Sequence, residues 1–220
     1  MDQPDLNPLF KTGSIIDEKW VLIERIGKGG MGEVYRAHQL NLNRDVAIKI
    51  ISEELLESFE DNPEEKAAVL DRLHREVQTM AQVRHTNILQ IYDFGTLQTR
   101  KGNKVVPVQY IVMEYIPGNT LRFTMSEEGF ADEPDLLRDW LATYYLPVLD
   151  GVAAIHQSGI VHRDMKPENV LMDGGEIAAN GPTKRRQGQC HHHCHPHMIF
   201  WISLKLKRRN GALSFGHNRL

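Results

Sequence analysis

The hydrophobic pattern of the chain changes period several times, and each change marks an element. WVLIERI (20–26), GEVYRAH (32–38) and DVAIKII (45–51) are rich in β-branched and aromatic residues and are separated by Gly, Asn and Asp. That is the pattern of short, half-buried strands. Residues 63–83 switch to helical spacing, with Leu70, Leu73, Val77 and Met80 at i, i+3, i+7 and i+10. Glu76 falls on the border of that apolar stripe instead of facing water. ILQIYDF (88–94) and VQYIVME (108–114) read as two further strands around a polar loop at Lys101-Gly102-Asn103. Residues 133–156 are helical again, with Leu137, Leu141, Tyr144, Val148, Val152 and Ile155 on one side. Pro147 should kink that helix, because it lacks a backbone donor and collides with the preceding turn. The order predicts an α+β fold: an antiparallel sheet with one helix inserted, then an incomplete, mainly helical second lobe.

Composition adds a boundary to this picture. The chain has 220 residues with 41% apolar and 25% charged side chains, the balance of an ordinary soluble globular protein. No apolar run reaches membrane-spanning length, and MDQPDLNPLF has no basic-then-apolar leader pattern, so a cytoplasmic address is expected. The net charge of −3 conceals an asymmetry. Residues 1–173 carry 18 Lys+Arg against 28 Asp+Glu, whereas residues 174–220 carry 8 against 1 and six of the eleven histidines. Two kinds of sequence meet near residue 174.

Two stretches carry candidate chemistry in the first half. IGKGGMGEV (26–34) places Gly27, Gly29 and Gly32 as GxGxxG, with Gly30 between them. A dinucleotide fold needs a helix after the last glycine, and EVYRAH is strand-like instead. A glycine turn between two strands makes a flap whose backbone N–H groups can approach phosphates. In VAIK, alternation puts Ala47 and Lys49 on one face and Val46, Ile48 and Ile50 on the other. A small residue that admits a flat base thus lies beside a cation that reaches phosphates, and Glu76 is placed to orient that cation.

Taken together, these motifs resemble a protein kinase of the bacterial Ser/Thr type. IGKGGMGEV is similar to the glycine-rich loop, with Ile26 and Val34 flanking it, VAIK to the lysine strand, and Glu76 to the ion-pair partner of Lys49. IVMEYIPG resembles the hinge, with Met113 as gatekeeper and the Glu114 to Ile116 backbone facing adenine. HRDMKPEN (162–169) resembles the catalytic loop. The resemblance implies a protein-kinase-like fold, ATP and Mg as cofactors, and transfer of the γ-phosphate to a Ser or Thr hydroxyl of a protein substrate. It implies that Asp164 accepts the hydroxyl proton, Lys166 neutralises the transferring phosphate, Asn169 holds one magnesium, and Arg163 docks a phosphorylated loop where one exists. The implied organisation is an N-terminal extension (1–19), an ATP-binding lobe and hinge (20–116), the start of the large lobe (117–173), and an unrelated, disordered tail (174–220).

YDFG at 92–95 mimics the family's magnesium triplet but precedes the hinge. It reads as turn chemistry: Asp93 closes a strand whose Leu89 and Ile91 share its face, and Gly95 opens a hairpin. After Asn169, VLMD starts a hairpin, yet no second Asp-Phe-Gly follows and Glu176 is the only acid beyond Asp173. An inactive nucleotide-binding pseudokinase or scaffold is the alternative function. A reading-frame shift near residue 174 would explain the change of charge, histidine use and resemblance in one step. CHHHCHPH (190–197) is dense in zinc or nickel ligands, but adjacent histidines diverge, and structural zinc sites draw ligand pairs from separated segments. KRR (184–186) and KLKRR (205–209) read as solvated charge, so no nucleic-acid partner is expected. MIFWISL (198–204) is too short to span a bilayer.

Overall fold

The computed structural model describes residues 10–29, 32–51, 63–101, 104–125, 134–162, 164–173, 196–198, 208–209 and 212–213. Six strands form one antiparallel sheet: β1 (Ile15–Ile16), β2 (Trp20–Gly29), β3 (Gly32–Gln39), β4 (Arg44–Ile51), β5 (Ile91–Lys101) and β6 (Lys104–Glu114). Their order is β1-β2-β3-β4-β6-β5, so β6 folds back between β4 and β5. The sheet takes in Ile15 and Ile16, ahead of the strand pattern that starts at Trp20. The β1–β2 turn puts Asp17 (φ 47°) and Glu18 (φ 55°) in the left-handed region, the geometry of a tight hairpin turn made here without glycine. The Asp17 carboxylate is held 2.7 Å from the Lys19 ammonium.

Helix α1 (Pro63–Gln82) joins β4 to β5. Proline at its first position and Glu64 and Glu65 in its first turn are favourable N-terminal chemistry. Most of its predicted stripe packs: Leu73 and Val77 meet Ile51, Ile111 and Phe94 on one face of the sheet, and Met80 joins the helical core. Val69, however, is buried where Leu70 was expected, and Leu70 is half-buried. The opposite face buries Trp20, Leu22, Tyr35, Val46, Ile48, Ile50 and Tyr110. The alternation expected of VAIK therefore sorts its residues onto two different cores.

YDFG is resolved by packing, with two departures from the expectation. First, Ile91 pairs with Met113 but Asp93 pairs with Val112, so Tyr92 is an extra residue that re-phases the strand. Asp93 does not share a face with Ile91; Phe94 does, and both pack toward α1, where Phe94 stacks on His74 at 5.2 Å. Second, Gly95 opens no turn. It lies inside β5 opposite Tyr110, whose ring occupies the place a Cβ would take. Asp93 accepts the Phe94 backbone N–H at 2.8 Å.

The second helical segment is α2 (Pro134–Trp140), a π-type turn (Leu141–Tyr145) and α3 (Leu146–Gln157). The expected disturbance at Pro147 falls one turn earlier: the Leu146 N–H donates to Leu141 O, five residues back. Widening the turn relieves the carbonyl that proline would strike. The extra residue also rotates the stripe. Val148 and Ile155 are buried, Tyr144 and Val152 half-buried, but Leu141 is exposed and Trp140 packs in its place. This segment meets Met80 from the end of α1, Val83 and Ile88 from the loop after it, and Leu121, Val170 and Met172 from beyond the hinge. A contact from His85 Nε2 to Asp150 Oδ2 (3.2 Å) ties the same junction.

Past the hinge, β7 (Val170–Met172) pairs antiparallel with β8 (Pro196–Met198). A further pair, β9 (Arg208–Arg209) and β10 (Ala212–Leu213), lies in the tail. Gly30, Gly102, Asn103, Arg163, Glu176, KRR (184–186), Cys190 to His195 and most of MIFWISL and KLKRR lie outside the described residues.

Candidate nucleotide site

The glycine-rich stretch forms a tight hairpin between β2 and β3, with Gly27 opposite Val34 and Gly29 opposite Gly32. Gly32 has φ 131°, which only glycine adopts without strain. A Cβ at Gly29 would meet no protein atom within 4 Å, so that backbone faces open space. Glu33 braces the base of the flap. It binds Arg25 at 3.0 Å and Lys28 at 3.5 Å, and accepts the Tyr35 hydroxyl at 2.6 Å.

Beneath the flap, Val34, Ala47, Leu89, Met113 and Ile116 form one apolar cluster, with Tyr115 and Leu171 packed against it. β3, β4, the hinge and β7 thus all contribute to one cluster. Leu171 was missed by the sequence reading. Its signal is the alternation of VLM: Val170 and Met172 go to the helical core, which leaves Leu171 for the other face. Ile26, at the mouth, is exposed. The Glu114 N–H is committed to Gln90 O at 2.9 Å, whereas no hydrogen bond to the Ile116 backbone is present among the described residues.

Lys49 sits on the Ala47 side of β4 and is only 3% exposed. Burial lowers its pKa to about 8. Glu76 is not beside it in an ion pair: its carboxylate accepts from Arg72 Nε at 2.9 Å, one turn back along α1. The half-buried border position placed Glu76 correctly, but an arginine on the same helix face takes its charge.

The catalytic-loop residues are brought together. Asn169, buried, donates from Nδ2 to Asp164 O (2.8 Å) and to Asp164 Oδ2 (3.1 Å). Lys166 Nζ stands 3.6 Å from the same oxygen. His162, also buried, accepts the Asp164 N–H on Nδ1 at 3.3 Å. Both Asn169 contacts use its amide nitrogen, so its carboxamide oxygen is turned away from Asp164. Among the described residues no group of three His, Cys, Asp or Glu side chains could hold a metal. A magnesium ion ordinarily takes one or two carboxylates besides phosphate oxygens. Asp164 and Asn169 are the oxygen-bearing side chains that the described loop gathers in one place.

A model of the protein kinase domain matches residues 20–179. The chain belongs to the protein kinase family. It is 34% identical over 164 residues to the serine/threonine-protein kinase PknB of Mycobacterium tuberculosis, covering 73% of this chain and 23% of that one. It is 31% identical over 190 residues to CBL-interacting protein kinase 15 of Oryza sativa, covering 83% of this chain and 39% of that protein. The chain spans about a fifth of the length of the bacterial relatives it matches. A solved structure titled "PpkA-294 apo form" superposes with a TM-score of 0.55 over 74% of this chain and 57% of the other. Its sequence identity is 24%, and the likeness is one of fold. Members of the family generally use ATP and magnesium. Among the described residues no helix is long and apolar enough to cross a membrane.

Proposed function

We propose that residues 20–173 are the ATP-binding lobe and the start of the large lobe of a serine/threonine protein kinase, and that this 220-residue chain binds adenine nucleotide. The observation that carries the reading is the apolar cluster that gathers Val34 and Ala47 of the sheet, Met113 and Ile116 of the hinge, and Leu171 packed against them, with a lysine buried on the Ala47 side of β4. In this reading these residues line a flat base, the Ile116 backbone offers its edge a donor and an acceptor, and Lys49 meets phosphate.

The reaction class is transfer of the γ-phosphoryl group to a protein Ser or Thr hydroxyl. Asp164 would take the hydroxyl proton on its carboxylate, and Lys166 would neutralise the phosphate passing it. Asn169 fixes Asp164 through two hydrogen bonds. Transfer itself finds weaker support than binding, because Glu76 is paired with Arg72 and residues 174–220 hold no Asp-Phe-Gly. A nucleotide-binding pseudokinase or scaffold is therefore the second reading.

Titration of the full chain with ATP and a radiometric assay on a test protein separate these readings. Saturable ATP binding with little transfer is expected. Robust phosphorylation, abolished by Asp164→Asn and by Lys49→Met, would overturn the binding-only reading. Absence of ATP binding would overturn both.

A further inference from the structure

Arg36 lies in the middle of β3, paired in register with Ala47. Its guanidinium is held by two acids from two neighbouring strands. Nε and Nη2 lie 2.9 and 2.8 Å from Asp45 Oδ2, and Nη1 lies 3.1 Å from Glu24 Oε1. So fixed, its Cζ lies 5.4 Å from the centroid of the Tyr115 ring. Tyr115 stands between Glu114 and Ile116 and packs against the apolar cluster of Val34, Ala47 and Met113. The anchor is itself built. Asp45 receives His38 Nδ1 at 3.0 Å, and His38 Nε2 lies 3.1 Å from Asn43 Oδ1. The His38 hydrogen bond, and after it the Arg36 guanidinium, hold the Asp45 carboxyl below its usual range, so it stays charged near neutral pH.

A lone surface ion pair would contribute little. A planar cation gripped on two sides and laid over an aromatic ring is a different device, since its orientation is settled before the ring meets it. The ring belongs to the one hinge residue flanked by both backbone segments that would face a base.

We propose that Arg36 is a positioning residue for the hinge, clamping Tyr115 so that the Glu114–Ile116 backbone is set to read the edge of adenine. The proposal rests on the nucleotide-site reading above. Its consequence is selectivity between bases more than overall affinity, because adenine and guanine differ at the edge that the hinge reads.

The test measures Kd for ATP and GTP by calorimetry on the full chain and on Arg36→Leu, Arg36→Lys, Tyr115→Leu and Arg36→Leu/Tyr115→Leu. Melting curves are recorded alongside. The parent should prefer ATP. Arg36→Leu should narrow the ATP:GTP ratio by about two- to five-fold, the size of a half-exposed cation–ring contact. Tyr115→Leu should narrow it equally, the double variant no further, and Arg36→Lys should recover part of the ratio. Tyr115→Leu leaves every ion pair of Arg36 in place and so serves if Arg36→Leu does not fold. An unchanged ratio in either single variant, or losses that multiply in the double, would overturn the clamp. A merely loosened fold would weaken both nucleotides alike and leave the ratio untouched, which also counts against it. Failure of the parent to bind ATP at all would instead overturn the nucleotide-site reading itself.

Discussion

Glu76 gives its carboxylate to Arg72, at 2.9 Å along the same helix, and not to the buried Lys49 on the neighbouring strand. An i,i+4 pair on a helix is worth about 0.3–0.5 kcal/mol. Arg72→Gln should therefore lower the melting temperature by no more than a degree or two. It should also free Glu76 to approach Lys49, whose affinity for a proton would then rise from its present value of about 8. The pH dependence of Lys49 acylation, followed by mass spectrometry, reads this directly. An unshifted midpoint would mean that α1 cannot bring the two groups together.

Lys49 also predicts a pH dependence of stability. Its folded pKa, about 8, lies below the ordinary 10.5 of an unfolded chain. Below pH 8 both states carry the proton, and the full cost of a buried charge is present. Between pH 8 and 10.5 the folded state releases the proton first, so stability rises with pH. The gain is on the order of 3 kcal/mol across that window. Lys49→Met should abolish the gain and be more stable than the parent at pH 7. Parallel urea titrations at pH 7 and 10 that coincide for the two proteins would contradict it.

The YDFG stretch should behave as packing, not as metal chemistry. Gly95→Ala forces a methyl group against the Tyr110 hydroxyl and ring, whose Cε1 lies 2.8 Å from the added carbon. A loss of about 1–3 kcal/mol is expected, as for other overpacked cores. Tyr110→Phe, which removes the nearest atom, should return part of it. Asp93→Asn should leave ATP affinity the same with or without magnesium. A magnesium-dependent loss in calorimetry would show that Asp93 reaches the site.

The outer face of the second helical segment exposes Leu136, Leu141, Tyr145, Leu146 and Leu149. Apolar patches of this kind favour association. Light scattering should show concentration-dependent aggregation of the parent chain. Leu141→Glu with Leu149→Lys should suppress it without lowering the melting temperature, since neither residue packs inward. Val148→Ala, by contrast, deletes a buried side chain and should cost on the order of 2 kcal/mol.

Glu18 occupies a left-handed conformation at φ 55° in the β1–β2 turn. A side chain there costs about 1 kcal/mol relative to glycine. Glu18→Gly should raise the melting temperature by a few degrees; a decrease would mean that the side chain has a role outside the turn.

Residue pattern alone located α1, the second helical segment and most of the strands. Alternation in VAIK sorted Ala47 and Lys49 from Val46, Ile48 and Ile50, because pleating alone fixes which side chains share a face. Helical spacing located α1 and put Glu76 on its border. The spacing of HRDMKPEN announced that Asp164, Lys166 and Asn169 lie together, since a short loop cannot separate them. Such features depend on neighbours within a few residues, and local geometry is what a residue pattern encodes.

Tertiary structure decided what depends on distant partners. Gly95 reads as a turn glycine until Tyr110, on the adjacent strand, is seen lying across it. Leu141 reads as a core residue until the widened turn before Pro147 rotates Trp140 into its place. Glu76 could serve Lys49 or Arg72 equally well by its position in the chain, and the packing of α1 on the sheet chose Arg72. Arg36 carried no signal, because its significance lies in Tyr115, seventy-nine residues away in the chain and 5.4 Å away in space. A contact between distant residues is set by how whole elements pack, and a one-dimensional pattern holds no record of that geometry.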